Sequence, residues 1–361
     1  MSVFSGARSE TPFLLAHQTV AQRRRNVCAV LGVLLLGSII LSAANGPANI
    51  AYGDVVRLLL HGVGLPVGLD LPQSSYVIVT TIRLPRILIG AVVGAALACS
   101  GATMQGVFRN PLADPGLLGV TAGGGFGAVL VIVTGLATLN LWVLPAAAFA
   151  GAFGTTILVY ALSTVRGQSD TTTLILAGVA VSALLGALTT ILILFARSYL
   201  AIQEALSWLF GGLQGRGWDH LIIATPPVLA ALLVTFAYSR DLNLLLSGEE
   251  TAQALGVNVP RTRLILLLLS SLMTGAAVSI AGGIAFVGLM IPHALRLVVG
   301  PDYRVLLPAS ALGGAVFLVL TDTVSRLILQ PEELQVGILT ALIGAPFFLF
   351  LLWQRRQTVM L

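Results

Sequence analysis

The sequence predicts an all-α integral membrane protein of about ten transmembrane helices. Three observations predict it. Only 9% of the 361 residues are charged, against about 25% in an ordinary soluble domain, and the mean hydropathy is +0.98. Apolar stretches near the 20 or so residues that cross about 30 Å of hydrocarbon recur along the chain. Arginines gather between those stretches, as they do at the ends of membrane helices.

The stretches run over 27–45, 83–107, 116–134, 141–164, 171–196, 221–238, 264–284, 286–299, 305–325 and 335–353. The eighth is short, and Gly282, Gly283, Gly288 and Pro292 interrupt its surroundings, so a hairpin is expected there with loosely fixed ends. Arg23, Arg24 and Arg25 precede the first span and Arg355 and Arg356 follow the last. The positive-inside rule then puts both termini in the cytoplasm, which demands an even number of spans. Residues 1–22 read as a cytoplasmic tail. Segments 109–115 and 239–263 fall inside; 46–82, 135–140, 197–220 and 326–334 fall outside. Arg83 and Arg86 break the rule by falling at the outer mouth.

Composition removes several function classes. All nineteen basic residues are Arg and none is Lys. A Walker A loop and a Schiff-base site both need Lys, so the chain has neither. The pI of about 9.8 reflects arginines at membrane ends, not nucleic-acid binding. Cys28 and Cys99 sit inside apolar runs and read as packing residues. His17, His61, His220 and His293 are scattered without ligand spacing, so no metal site is expected. The 39 glycines recur at small-xxx-small spacing, as at Gly90 and Gly94 or Gly119, Gly123 and Gly127, which predicts close helix approach.

Five motifs stand out. In Arg83-Leu-Pro-Arg86 the proline suits a first helical turn, and its arginines could snorkel to headgroups or meet a partner. In Asn110-Pro111-Leu112-Ala113-Asp114-Pro115-Gly116 two prolines stop one helix and start the next; Gly101 and Gln105 precede it and Gly119 follows. In the inner segment 247–257, Ser247 is placed to cap a short helix with Glu249 and Glu250 in its first turn, and Gly256 to close it. Segment 282–293 is Gly-rich and ends on His293, read as a packing residue. Asp322 and Arg326, four apart on one helix, can pair on one face; a buried acid in a membrane is a functional candidate by default.

In this order the motifs closely resemble the permease subunit of type II ABC importers, the iron-siderophore, heme and cobalamin uptake family. The resemblance rests on RLPR at 83–86, SGATMQGVFRNPLADPGLLGV at 100–120, LILAGVA at 174–180, GEETAQALGV at 248–257, GGIAFVGLMIPHALR at 282–296 and the final GAPFFLFLL. It implies one ten-helix permease domain over 23–361, in a bacterial inner membrane, working as a homodimer with two cytoplasmic ATPases and a periplasmic binding protein. The chain itself would then be no enzyme. Arg83, Arg86 and Arg326 match residues that dock the binding protein. Gly248, Glu249, Glu250, Ala252, Leu255 and Gly256 match the loop that couples to the ATPase, with small residues allowing close seating. Thr171 and Thr172 match a cytoplasmic gate, although the preceding Gly167-Gln168-Ser169-Asp170 departs from the family pattern by carrying little positive charge. The wording FRNPLADPGLLGV is most similar to heme permeases, with other iron chelates next and cobalamin third.

Two other classes remain. An ion-coupled carrier acting alone needs more acids within its spans than Asp322. A membrane-embedded enzyme needs a constellation that the chain lacks, such as a nucleophile with its base.

Overall fold

The computed structural model describes residues 11–68, 71–165, 168–169 and 171–359. Residues 1–10 of the tail, together with Gly167 and Asp170, lie outside them. α1 (Thr11–Ala44) contains the first apolar stretch, 27–45 but for its last residue, and begins well before it, inside the segment read as a tail. α2 (Tyr52–Gly62) and α3 (Gln73–Val77) follow. A π-helical turn, Ile78–Arg83, joins α3 to α4 (Leu84–Val107). Pro85 stands just beyond that turn; it has no N–H to donate back, and a locally widened helix accommodates the missing bond.

A 3-10 turn, Pro115–Leu118, leads into α5 (Val120–Val133), then α6 (Val143–Ser163). Strands β1 (Thr164–Val165) and β2 (Gln168–Ser169) pair as a small antiparallel hairpin before α7 (Thr171–Leu194). α8 (Tyr199–Phe210), α9 (Trp218–Ala237), α10 (Ser239–Leu246) and α11 (Glu249–Ala254) come next. α12 (Val259–Ala281), α13 (Val287–Val299), α14 (Tyr303–Leu327) and α15 (Val336–Val359) complete the chain.

Seven helical stretches among the described residues are long and apolar enough to cross a membrane, and Val120–Val133, Val287–Val299 and Val336–Leu351 are shorter apolar helices. Together they fall on the ten stretches read from the sequence. The outer segments expected to be plain loops instead contain α2, α3 and α8. α2 spans 11 residues, too short to cross a bilayer, and it buries only one face, through Val55 and Leu58.

α4, α12 and α14 form the buried centre, while α1 and α7 are mostly exposed. Lipid is as apolar as leucine, so helices associate in a membrane by close packing, which small residues allow. A Cβ on Gly94 would lie 2.2 Å from the Gly314 carbonyl oxygen, and one on Gly314 2.2 Å from that of Gly94. α5 and α6 cross in the same way at Gly123 and Gly151. The expectation of tight packing at glycine therefore holds at Gly94, Gly123 and Gly127. The ring of His293 on α13 meets Phe347 of α15 edge-on, at 6.3 Å between centroids.

Candidate functional site

The outer arginines occupy a network inside the chain. The last turn of α1 contains no basic residue, and its final carbonyls need donors. Arg83 and Arg326 supply them. Arg83 Nη1 donates to the carbonyls of Ala43 at 2.6 Å and Ala44 at 3.1 Å, and its Nη2 donates to that of Ala48. Arg326 Nη2 donates to the Ser42 hydroxyl at 2.6 Å and carbonyl at 3.2 Å, and Nη1 to the Asn45 carbonyl at 3.3 Å. Two cations at the negative end of a helix dipole are favourably placed.

Asp322 neutralises the group from α14. It accepts from Arg86 Nη2 at 2.8 Å and pairs with Arg326 Nε at 3.2 Å. Arg86 Nη1 reaches Glu333 at 2.8 Å. Arg83 and Arg326 are 5% and 4% exposed. Snorkelling to headgroups is therefore not what Arg83 does, and Arg326 does not reach water. The Asp322–Arg326 pair forms as its spacing predicts, and Arg86 joins it.

A second cluster is built around the turn after α4. Asn110 Oδ1 accepts from the Leu112 N–H at 3.0 Å, and Asp114 Oδ1 from the Gly116 N–H at 2.8 Å. These side-chain turns set Pro111 and Pro115 on either side of a reversal. Gly119, at φ 75°, hands the chain to α5. Leu117 presses its carbonyl against Gly178 of α7, so the turn contacts the helix that begins at Thr171. Thr172 is exposed. Gln105, just upstream, accepts from Arg296 Nη2 at 3.0 Å, and the same Nη2 lies 3.2 Å from the Tyr303 hydroxyl.

Asp114 lies in this turn, outside the spans. Burial pushes its carboxyl above the usual carboxylate range, partly offset by the Gly116 N–H. A group with a raised folded pKa binds its proton more tightly when folded, so its contribution is present at low pH and is lost as pH rises through the folded value. We expect Asp114→Asn, which keeps an acceptor for Gly116, to flatten the decline in thermal stability as pH rises above about 4. An unchanged pH profile in detergent-solubilised protein would refute this.

The segment expected to couple to a partner is a helix, as read, but differently capped. Ser247 ends α10, so it does not cap α11; Gly248 takes that place. Gly256, at φ 88°, closes the helix. Its N–H donates to Gln253 at 2.9 Å and that of Val257 to Ala252 at 3.0 Å, the paired bonds of a Schellman ending. Ala252 is fully buried and faces the protein, not outward. Glu250, Thr251, Gln253, Leu255 and Gly256 are exposed. Glu249 is anchored by Arg263 at 2.5 Å and Arg109 at 3.3 Å. Arg109, at φ 48°, begins the Asn110 turn. The Asn110 turn and the 247–257 segment are thus joined through Glu249, a link that sequence spacing does not reveal.

A family model for the FecCD transport family matches residues 34–354. The chain belongs to the FecCD transport family. A cobalamin import system permease protein, BtuC, of Halobacterium salinarum is 46% identical, over 91% of this chain and 96% of its own. The hemin transport system permease protein HmuU of Yersinia pestis is 43% identical, over 76% of this chain and 83% of its own. A solved structure described as an inward-facing conformation of a metal-chelate type ABC transporter superposes with a TM-score of 0.80. It is 33% identical and covers 91% of this chain and 99% of that one. As a FecCD protein the chain is a multi-pass permease with the type II ABC importer fold. The expected fold class and family resemblance hold.

Proposed function

We propose that this FecCD chain forms a homodimer in the bacterial inner membrane, with both termini cytoplasmic and the pathway on the two-fold axis. Two cytoplasmic ATPases drive it, and a periplasmic binding protein delivers a metal macrocycle. ATP hydrolysis belongs to the partner subunits. The observation that carries the reading is α11. It is a short helix closed by Gly256, with the exposed Leu255, 56% accessible, at its C-cap, while Glu249 and Ala252 fix it from behind. A rigid, exposed helix tied to the turn after α4 is what transmission from a partner needs. In this reading Leu255, Gln253 and Glu250 contact the ATPase, and Thr171 and Thr172 form the cytoplasmic gate.

Binding-protein docking falls to the outer arginines, with a division of labour. Arg86 has an exchangeable partner, since the Glu333 side chain is 26% exposed. A carboxylate of the binding protein takes the place of Glu333, while Arg83 and Arg326 hold α1 from within.

For the cargo, the 46% identical relative, a cobalamin import permease spanning 91% of this chain, favours cobalamin, and the motif wording of the 108–120 segment favours heme, which the 43% identical hemin permease supports. Both are metal-centred tetrapyrrole macrocycles, and we place cobalamin first. The test is reconstitution of the complete importer in liposomes with its binding protein. ATP-dependent uptake of cobalamin or heme is expected, and accumulation of a ferric siderophore alone would overturn the macrocycle reading. Leu255→Glu should keep the fold, because its side chain leaves no cavity, and should remove uptake and binding-protein-stimulated ATP hydrolysis together. Wild-type uptake by that variant would remove α11 as the seat.

A further inference from the structure

We propose that α1 around Arg24, Arg25 and Cys28, with the adjoining ends of α9 and α14, forms a binding site for the phosphate headgroup of an anionic phospholipid. A cavity of about 800 Å³ lies there, lined by Arg24, Arg25, Cys28, Phe236, Arg304 and Leu307 among others. Arg24 and Arg25 are exposed at its rim and Arg304 is half-buried. Among the described residues none of these three arginines has a carboxylate partner. The nearest acid along the chain, Asp302, already accepts from Asn243 at 2.7 Å and from the Arg304 N–H at 2.9 Å. Arg23 adds charge beside the rim while donating to the Val298 carbonyl at 3.1 Å.

Three unpaired cations around one cavity call for an anion. The floor decides which kind. Phe236 is half-buried, Leu307 is fully buried, and Pro308 completes an apolar wall. A cationic rim above an apolar wall, at the Arg-rich end of three spans, fits an amphiphile with one end in each zone. A free phosphate would use only the rim. Basic pockets between helices on the cytoplasmic side hold anionic headgroups in this way.

The cavity also carries its own reporter. Cys28 lines it, and Cys99, the second cysteine, is fully buried. The test uses the full chain in nanodiscs of phosphatidylcholine, with or without phosphatidylglycerol. Lipid retained after detergent extraction is measured by mass spectrometry, and Cys28 modification is followed with an uncharged maleimide. Phosphatidylglycerol should be enriched over its bulk fraction and should slow Cys28 labelling severalfold. The combined Arg24→Gln, Arg25→Gln and Arg304→Gln variant should lose that enrichment, by about fivefold for each arginine. Equal retention of the two lipids by the wild-type chain would overturn the site, and needs no variant to fold. Enrichment that persists in the triple variant would overturn it as well. Slowing by inorganic phosphate alone, in phosphatidylcholine discs, would overturn the lipid assignment in favour of a soluble anion.

Discussion

Asp322→Ala should destabilise the protein by about 3–5 kcal/mol, the cost of stranding a buried charge. Asp322 is 1% exposed and lies between two guanidiniums, with Oδ1 2.8 Å from Arg86 and Oδ2 3.2 Å from Arg326. Removing it leaves Arg326 among neutral acceptors and Arg86 with Glu333 alone. The damage should spread to α1, because Arg326 holds the carbonyls that end it. Asp322→Asn keeps the volume and one acceptor but no charge, so it should fall between wild type and alanine. The measurement is thermal unfolding in detergent. A double-mutant cycle with Arg86→Met should give strong coupling, since the second loss removes one of the charges stranded by the first. Wild-type stability of Asp322→Ala would show that the three charges are independent of one another.

The same residues show where the sequence could be read and where it could not. The ten apolar stretches, the turn at Asn110 and the closing role of Gly256 were legible, because each depends on neighbours a few residues away. The fate of the outer arginines was not. The breach of the positive-inside rule by Arg83 and Arg86 is visible in the sequence, but the partners of these two lie 35 to 247 residues away. A charge that breaks a topological rule announces that it is neutralised, without saying whether by another molecule or by its own chain. The carbonyls that Arg83 uses leave no mark in the sequence at all, since every residue has one.

Short helices were the second difficulty. α11 spans six residues, Glu249–Ala254, fewer than two turns, so no period tells its inner face from its outer one. In the sequence Ala252 therefore reads as part of an outward small-residue face, yet it is fully buried. Ser247 looks like the cap from local spacing alone, but the amphipathic α10 claims that residue for its own end. Glu249 could have been found by asking which cations lay on the same side of the membrane. Arg109 and Arg263 both do, but so do Arg240 and Arg261.

Gly101→Val should do comparable damage by the opposite route, adding volume in place of removing charge. A Cβ at position 101 would lie 1.8 Å from the carbonyl oxygen of Gly288 and 2.3 Å from its carbon. Both atoms belong to the backbone of α13, so no side-chain rotation relieves the clash, and α4 and α13 must separate. We expect a loss of about 3 kcal/mol, the upper end for overpacking. The separation also pulls at the bond between Gln105 of α4 and Arg296 of α13, 3.0 Å long, so uptake should fall even in any fraction that folds. Gly32→Ala is the control: it lies in α1 with nothing within 4 Å of the added carbon, and helix propensity alone favours alanine there. Thermal unfolding and importer uptake of the two variants side by side decide the matter. If Gly101→Val unfolds at the wild-type temperature, α4 and α13 are not held together at this crossing.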